Sequence, residues 1–251
     1  MKKIPLFLLI FVLIFSVPSC KEKQKTEKVI DVLKIATDAT WPPMEFIDEN
    51  DKLTGFDIDI MNAAAEAAGY KIEIISVDWD VIFDGLAAGK YDAICSSLTI
   101  TETRRETMDF SLPYINAGQV LVVRADSKAT TLADMKKKTV GAQFETTGAV
   151  QIQNTEGVIL KAYEEISPAI FDVVDNKIAG VVVDLPVAVD FVLRNELCKD
   201  KLKIAGEPFT DEFYGVAVKK GNKEVLDIIN TGLIKVRESG KTQELIKKWL
   251  K

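Results

Sequence analysis

Two side chains of opposite charge, Arg104 and Asp184, have the clearest potential for chemistry in this sequence. The guanidinium of Arg104 can bind a carboxylate through two hydrogen bonds, although a surface salt bridge with Glu102 or Glu106 is the more common role of such an Arg. Asp184 ends an apolar run, where an unpaired carboxylate is costly, so it either binds a cation or caps the helix expected after Pro186. Together the two residues suit a zwitterion, because buried charges must be paired.

Further polar and aromatic residues could complete such a site. Thr146, Thr147 and Gly148 lie between a predicted strand and a predicted helix. Free backbone N–H groups at a helix start bind anions, although a Thr there can also be a simple helix cap. Trp41 and Trp79 offer aromatic faces that suit an aliphatic stem or a guanidinium, although the apolar neighbours of Trp79 also favour packing in a core.

The composition excludes several classes of site. The chain has 251 residues, a formal net charge of −6, no His and three Cys, at positions 20, 95 and 198. Without His there is no Ser-His-Asp or Cys-His catalysis and no His-ligated metal. The Cys are too few and too scattered for a zinc site or a disulfide framework, and the acidic balance argues against nucleic-acid binding. We therefore predict no metal, no cofactor and no nucleic-acid partner, and we expect Cys95 and Cys198 to be separate thiols.

The N-terminus predicts export. Lys2 and Lys3 precede an apolar run from Ile4 to Phe15, which is too short to span a membrane and is typical of a secretory signal. Residues 16–20 (SVPSC) resemble the lipobox of bacterial lipoproteins, in which the Cys carries lipid after cleavage, and an ordinary signal peptide is the alternative. We expect a signal peptide at 1–19 and a charged tether at 20–28. The protein would then be lipid-anchored through Cys20 to the cell membrane, facing the periplasm or the exterior.

Strand and helix patterns alternate along the rest of the chain. Strands are predicted at 32–35, 71–77, 93–96, 120–123, 139–143, 158–162, 180–183, 202–205 and 214–218. Helices are predicted at 56–68, 81–88, 132–137, 148–154, 167–176, 187–193, 223–238 and 242–250. The alternation indicates an α/β fold with mostly parallel sheets, in two runs at about 30–115 and 119–205. Ligands in such folds bind at the carboxyl ends of strands, so two facing lobes would form a cleft there.

Four segments resemble a known family. Residues 55–60 (GFDIDI), followed by MNAAAEAA, match its signature, although an amphipathic helix with acids in its first turn also explains them. Residues 37–46 (TDATWPPMEF), 96–105 (SSLTITETRR) and 181–186 (VVVDLP) resemble its pocket loop, its carboxylate-binding segment and the strand end that offers an ammonium ligand. The family is the extracellular solute-binding proteins, family 3, the polar amino-acid-binding proteins of ABC importers. The likeness covers about residues 30–250 and extends to histidine-, lysine/arginine/ornithine- and glutamine-binding members.

The resemblance implies a periplasmic binding protein-like fold of type II. Two Rossmann-like lobes would be joined by two crossover segments, with a ligand cleft between them. Lobe 1 would comprise residues 29–116 plus 215–251, and lobe 2 would comprise residues 119–207. The hinge would lie near 116–118 and 207–214.

The resemblance also implies how the amino-acid end of a ligand is held. Arg104, with the backbone N–H groups of Thr99 and Thr147, would bind the carboxylate. Asp184, the carbonyl of Ser97 and the hydroxyl of Thr99 would bind the ammonium group.

For the ligand side chain, the resemblance implies that Trp41 and Trp79 flank it. Asp38 and Asp57 lie where basic-ligand relatives carry acids for a cation. Backbone N–H groups at helix starts could instead occupy both acids, and a neutral polar ligand would then fit. Gln143 occupies a position that varies with specificity.

These roles predict the capture of a polar, basic amino acid by lobe closure. Arginine would rank ahead of lysine or ornithine, with glutamine or another neutral ligand as the alternative. The partners would be the free amino acid and an inner-membrane ABC permease, and the protein would be a monomer. A dehydratase or peptidoglycan-cleaving enzyme on the same fold is a rival, with Glu45 or Glu145 as its acid. Glu145 also replaces a common Gly of the family. A sensor domain is a third class, and it would usually adjoin a membrane span.

Overall fold

The computed structural model describes residues 32–251, so the expected signal peptide, Cys20 and the tether lie outside the described residues. The strands are β1 Leu33–Thr37, β2 Thr40–Trp41, β3 Glu45–Ile47, β4 Leu53–Thr54, β5 Ile72–Ser76, β6 Ala93–Ile94, β7 Met108–Phe110, β8 Ile115–Asn116, β9 Gln119–Arg124, β10 Thr139–Gln143, β11 Ile159–Tyr163, β12 Gly180–Asp184, β13 Leu202–Ala205, β14 Phe213–Tyr214 and β15 Ala217–Lys219. The helices are α1 Phe56–Ala68, α2 Trp79–Ala88, α3 Glu102–Thr107, α4 Thr147–Asn154, α5 Ile166–Val174, α6 Leu185–Leu193, α7 Lys223–Glu238 and α8 Lys241–Trp249.

Two five-stranded sheets form the centres of two α/β lobes. The first has the order β5-β1-β6-β15-β7 and the second the order β11-β10-β12-β9-β13. In the first lobe, Ile82, Leu86, Ile94 and Leu98 belong to one buried apolar cluster. In the second lobe the buried cluster includes Leu121, Val123, Val140, Ile152 and Val182. Each cluster combines apolar residues of strands with those of a flanking helix, as the alternating pattern predicts.

The expectation of mostly parallel sheets is wrong in one respect. β1 pairs in parallel with β5 and β6, and β10 does so with β11 and β12. However, β9 is antiparallel to β12 and β13, and β15 is antiparallel to β6 and β7. Strand β9 is the first strand after the chain crosses from the first sheet to the second, and β15 is the first after it crosses back. Their direction depends on that crossing, which no residue pattern within a strand encodes.

The segments that connect the two sheets pair with each other. β8 and β14 form a two-stranded antiparallel ribbon, with Asn116 opposite Phe213 and Ile115 opposite Tyr214. At Gly118 a Cβ atom would lie 2.3 Å from the carbonyl oxygen of Thr210, so only glycine allows this approach. The two crossover segments are therefore held side by side.

Several local predictions need correction. The helix predicted at 167–176 spans Ile166–Val174, with Glu165 at its N-cap. The strand predicted at 214–218 is divided into β14 and β15, which belong to different sheets. The small β2-β3-β4 sheet and helix α3 were not predicted, because two- and three-residue strands and one polar helix of six residues carry no clear periodicity.

The two cysteines in the described chain, Cys95 and Cys198, are buried free thiols. This agrees with the expectation of separate thiols. Among residues 32–251, no helix combines the length and the apolar character needed to cross a membrane.

Candidate functional site

A cavity of about 330 Å³ lies where the two lobes meet. It forms at the carboxyl ends of strands, as predicted, because Asp38 follows β1, Ser96 and Ser97 follow β6, Gln143 ends β10 and Asp184 ends β12. Nine of the ten predicted ligand-binding residues line it: Asp38, Trp41, Trp79, Ser97, Thr99, Arg104, Gln143, Thr147 and Asp184. Glu45, Ser96 and Thr146 complete the lining.

Asp38 is a buried carboxylate on the lobe 1 side of the cavity, with 6% of its surface exposed. It accepts hydrogen bonds from the hydroxyl of Thr40 at 3.0 Å and from the amide of Gln143 at 3.3 Å. Burial raises the pKa of Asp38 to about 6. Both donors are side chains, so Asp38 is not occupied by backbone N–H groups at a helix start, which was the alternative to its binding a cation.

Glu45, on β3, is fully buried and contributes a second carboxylate to the cavity wall. Its two carboxylate oxygens each accept a serine hydroxyl at 3.0 Å, one from Ser96 and one from Ser97. The hydroxyl of Ser96 also accepts the backbone N–H of Asp38 at 2.8 Å. Burial, followed by the nearby carboxylate of Asp57, raises the pKa of Glu45 well above its usual range.

Asp57 does not line the cavity, which corrects the expectation that it faces the ligand side chain. It is fully buried below the cavity wall in the first turn of α1. One carboxylate oxygen accepts the backbone N–H of Ser97 at 2.6 Å and the hydroxyl of Tyr114 at 2.8 Å. A sequence motif places Asp57 in the helix but does not indicate what covers its side chain.

Arg104 reaches from α3 towards the second lobe. Its guanidinium donates hydrogen bonds to the carbonyl of Thr99 at 2.9 Å and to the carbonyl of Glu145 at 3.0 Å. It lies 5.8 Å from the ring centre of Trp79. Burial lowers its pKa to about 10, against the carboxylates of Asp184 and Glu212, which raise it. Arg104 does not form the surface salt bridge that was its alternative role, because Glu102 pairs with Arg105 instead.

Glu145 has a φ of 57°, in the left-handed region that favours glycine. Its sequence position, where the family commonly has Gly, therefore keeps the backbone shape of a glycine. That shape directs its carbonyl to Arg104. The Glu145 side chain is exposed and does not line the cavity.

Asp184 stands at the N-cap of α6 but makes no capping hydrogen bond. Its carboxylate accepts the amide of Gln119 at 2.9 Å. It is 5% exposed, and burial, together with the nearby carboxylate of Glu212, raises its pKa to about 7. None of the salt bridges among the described residues includes Asp184. Its carboxylate, in the cavity wall, is therefore open to a cation that enters the cavity.

The start of α4 forms the neighbouring wall. Thr146 is the N-cap, and its hydroxyl accepts the N–H of Ala149, so the simple capping role holds for Thr146. Thr147 is the first helical residue, and its hydroxyl donates to Glu212 at 2.6 Å. N–H groups in the first turn of a helix have no partner within that helix. The N–H of Ala149 donates to Thr146, so those of Thr147 and Gly148 are the ones available to an anion beside Arg104.

The two cavity tryptophans differ in their surroundings. Trp41 is 6% exposed, and its indole N–H has no partner among the described residues. Trp79 is 7% exposed, packs edge-on against Phe83 and donates its indole N–H to the carbonyl of Phe144 at 3.1 Å. Trp79 thus has both roles considered for it, as a cavity wall and as part of the lobe 1 core.

Three hydrogen bonds join the lobes around the cavity. Gln143 donates to Asp38, Trp79 donates to the carbonyl of Phe144, and Arg104 donates to the carbonyl of Glu145. Beside them lies a second cavity of about 600 Å³, which shares Asp38 and Trp79 with the first and whose wall includes four further acids, Asp78, Asp80, Glu164 and Glu165. The surroundings of the site are therefore strongly acidic. No cluster of His, Cys, Asp or Glu suited to a metal ion occurs among residues 32–251.

Sequence reasoning missed Gln119 and Glu212, which connect Asp184 and Thr147 into one network. Gln119 could have been noticed as the polar residue that opens the apolar run VLVV. Glu212 lies in a connecting segment whose path the sequence pattern does not give.

Residues 33–251 match the sequence profile of a protein family, "Bacterial extracellular solute-binding proteins, family 3". The chain belongs to this family. The match spans both lobes and every cavity residue, and the two-lobed fold is that of the family's amino-acid-binding proteins.

Named relatives bind different amino acids. A "Probable histidine-binding protein" of Neisseria gonorrhoeae is 33% identical over 222 residues, which are 87% of this chain and 82% of the relative. "L-cystine-binding protein TcyJ" of Escherichia coli is 29% identical over 220 residues, covering 86% and 82% of the two chains. The solved structure "An ancestral arginine-binding protein bound to arginine" is 38% identical, with a TM-score of 0.82, and the match covers 88% of this chain and 99% of that one.

Proposed function

We propose that this protein captures a cationic L-amino acid, arginine foremost, for uptake by an ABC importer. The observation that carries the proposal is the charge of the cavity wall. Two carboxylates, Asp38 and Asp184, and one cationic side chain, Arg104, carry the charge of the cavity wall, and a third acid, Glu45, has its pKa raised well above the usual range by burial. A ligand with one carboxylate and two positive groups compensates this set better than a neutral amino acid does, because buried charges must be paired.

The amino-acid end of the ligand would lie between Arg104 and Asp184. The guanidinium of Arg104 and the N–H groups of Thr99 and Thr147 would hold the carboxylate. Asp184, the Ser97 carbonyl and the Thr99 hydroxyl would hold the ammonium group. The raised pKa of Asp184 supports this role, because a bound ammonium would restore the charge balance that burial disturbs.

The side-chain end would lie near Asp38 and Glu45. Trp41 offers an aromatic face and Gln143 a neutral amide that can donate or accept. A guanidinium there would form charged hydrogen bonds with carboxylates that now accept only neutral hydroxyl and amide donors. Lysine and ornithine carry the same charge but lack the planar fork of donors, and we rank them second.

Two named ligands of relatives fit the cavity less well. Cystine has no net charge, and the carboxylate of its second zwitterionic end would lie near Asp38 and Glu45 with Arg104 already engaged by the first carboxylate. Histidine is fully cationic only below its pKa of about 6.5, so it gains less from the acids at neutral pH. Glutamine would leave Asp38 unpaired, and we rank it third.

Capture would occur by closure of the lobes. The three hydrogen bonds that join the lobes around the cavity link Gln143, Trp79 and Arg104 to the opposite side, so the cavity wall is complete only when the lobes meet. We propose that the segments near 116–118 and 207–214 form the hinge between lobe 1 (29–116 plus 215–251) and lobe 2 (119–207), because both connections between the sheets run there.

The protein would act outside the cytoplasm. We propose that Cys20 carries a lipid anchor and that a monomer delivers the ligand to a membrane permease. No turnover is proposed. Of the two acids considered for catalysis, Glu145 does not line the cavity, and both oxygens of Glu45 are engaged by serine hydroxyls.

The test compares arginine with citrulline, which has the same shape but a neutral ureido group. Wild type, Asp38→Asn and Asp227→Asn, an exposed acid on α7, are refolded free of ligand and titrated while tryptophan fluorescence is followed. We expect wild type and Asp227→Asn to bind arginine at least tenfold more tightly than citrulline, and Asp38→Asn to lose most of that preference. An Asp38→Asn protein that keeps full arginine affinity would contradict the proposal.

A further inference from the structure

Asp57 is a buried acid to which the proposed function assigns no role. It lies in the first turn of α1, is fully buried and does not line the cavity. Its carboxylate lies near that of Glu45, whose pKa it raises, and one of its oxygens receives no hydrogen bond from a donor group of the described residues. Burying a carboxylate costs free energy unless hydrogen bonds compensate it, so the bonds made by its other oxygen are expected to matter to the structure.

The position of Asp57 is fixed by close backbone packing. Gly55 has a φ of 131°, and a Cβ atom there would lie 2.1 Å from the carbonyl oxygen of Met44. The same carbonyl accepts the backbone N–H of Asp57 at 2.8 Å. The start of α1 is therefore held against the residue that precedes Glu45, and the Asp57 carboxylate points to the underside of the cavity wall.

What the carboxylate holds there is the backbone of Ser97. The N–H of Ser97 donates to it at 2.6 Å, which is short for a bond between N–H and an oxygen. Ser97 has a φ of 47°, a left-handed conformation that is unfavourable for a residue with a side chain. Such a conformation persists only when its surroundings impose it. The Ser97 side chain, for its part, donates to Glu45.

We propose that Asp57 is a positioning residue, which holds Ser97 in its left-handed conformation and so directs the wall segment 96–99 at the ligand's ammonium group. The inference rests on the proposed function, because Ser97 and Thr99 contribute to that end of the site. It differs from a direct contact between Asp57 and a cationic side chain. A brace on Ser97 acts on every α-amino acid, whereas a direct contact would act on cationic ligands alone.

The same motif supplies a matched control. Asp59 lies two residues further along α1, and its carboxylate accepts the amine of Lys248 at 2.7 Å and the indole N–H of Trp249 at 2.8 Å. Both aspartates stand in the first turn, so any general effect of a charge at the helix start is common to them. Only Asp57 contacts the cavity wall.

The experiment measures dissociation constants by isothermal titration calorimetry for arginine and for citrulline. Asp57→Asn keeps the shape of the side chain but replaces a charged acceptor by a neutral one. We expect both ligands to bind roughly tenfold more weakly, with a stoichiometry near one that shows the protein to be folded. Asp59→Asn should keep both constants within about twofold. A merely structural role would lower the melting temperature and leave the dissociation constants of the folded protein unchanged.

Two results for Asp57→Asn would overturn the proposal. One is an Asp57→Asn protein that binds both ligands within threefold of wild type, and the other is a loss confined to arginine. Tyr114→Phe gives a test that does not depend on the folding of Asp57→Asn. It removes the other donor to the same Asp57 oxygen and keeps the bond to the Ser97 N–H, so both dissociation constants should stay within about threefold of wild type, and a larger loss would assign the effect to the Asp57–Tyr114 bond instead. A wild-type protein that binds neither ligand would refute the proposed function rather than the role of Asp57.

Discussion

Arg104 is the residue whose removal should have the largest effect on ligand capture. A guanidinium has five N–H donors, and the carbonyls of Thr99 and Glu145 take one each, so three remain for a ligand. Two of these suffice for a bidentate pair with a carboxylate. Arg104→Ala would leave the ligand carboxylate beside Asp184 and Glu212 without its counter-ion.

The magnitude follows from the cost of breaking a buried charge pair, which is about 3–5 kcal/mol. This corresponds to an affinity loss of roughly 150- to 5,000-fold. Arg104→Lys keeps the charge but has three donors on one atom and no planar fork, so we expect an intermediate loss above tenfold. Isothermal titration with arginine measures both, and the stoichiometry reports the folded fraction.

Arg105→Ala is the matched control, because Arg105 is the adjacent residue, is exposed and pairs with Glu102 at 3.8 Å. Its affinity for arginine should equal that of wild type. A loss below tenfold for Arg104→Ala would refute the reasoning and place this guanidinium outside the binding site.

Further predictions concern the ammonium site, pH, the crossover segments and the membrane anchor. Asp184→Ala should also weaken arginine binding by about 3–5 kcal/mol in calorimetry, and a loss under tenfold would contradict its assignment. Burial raises the pKa of Asp38 to about 6 and that of Asp184 to about 7, from 3.8, so the unliganded fold binds protons more tightly than the unfolded chain. The stability contributed by these two acids therefore falls as the pH rises from about 4 to about 7. Because arginine needs both carboxylates ionised, melting curves should show a larger arginine-induced rise in Tm at pH 7.5 than at pH 5, and equal rises would refute this. Gly118→Ala places a methyl group against Thr210 and should cost about 1–3 kcal/mol in urea unfolding, whereas an unchanged midpoint would show that the crossover segments move apart freely. Cys20→Ala should release the protein from membranes in cell fractionation, and a wild-type protein that is already soluble would contradict the lipid anchor.

Much of the fold could be predicted because helix and strand periods are local. The bounds of α1, α7, β10 and β13 agree with the sequence pattern, since Gly, Ser-Gly or a change of period marks their ends. Strand direction could not be predicted in the same way. Whether β9 and β15 run parallel to their neighbours depends on how the chain crosses between lobes, which is a property of the whole topology.

The site shows the same division. Gln143 and Asp184 could be predicted to lie close together because β10 and β12 are parallel neighbours whose carboxyl ends share one edge of a sheet. Asp38 follows a strand of the other sheet and meets them because the two lobes face each other across the predicted cleft. Asp57 could not be placed correctly. Its motif predicts the helix and the first-turn acid, but whether the side chain reaches the ligand or the wall behind it depends on the packing of Gly55 against Met44. Glu212 was missed because its contacts cross between a connecting segment and α4.

The central claim is that the cleft selects a cationic amino acid, and a direct calorimetric comparison of arginine with glutamine on refolded wild-type protein tests it. The charge of the cavity wall, two carboxylates and one Arg, predicts one arginine per chain, bound at least tenfold more tightly than glutamine. Ligand present at 1,000 times its dissociation constant should stabilise the fold by about 4 kcal/mol, which a thermal melt of the same sample would record. Glutamine binding that equals or exceeds arginine binding would contradict the account.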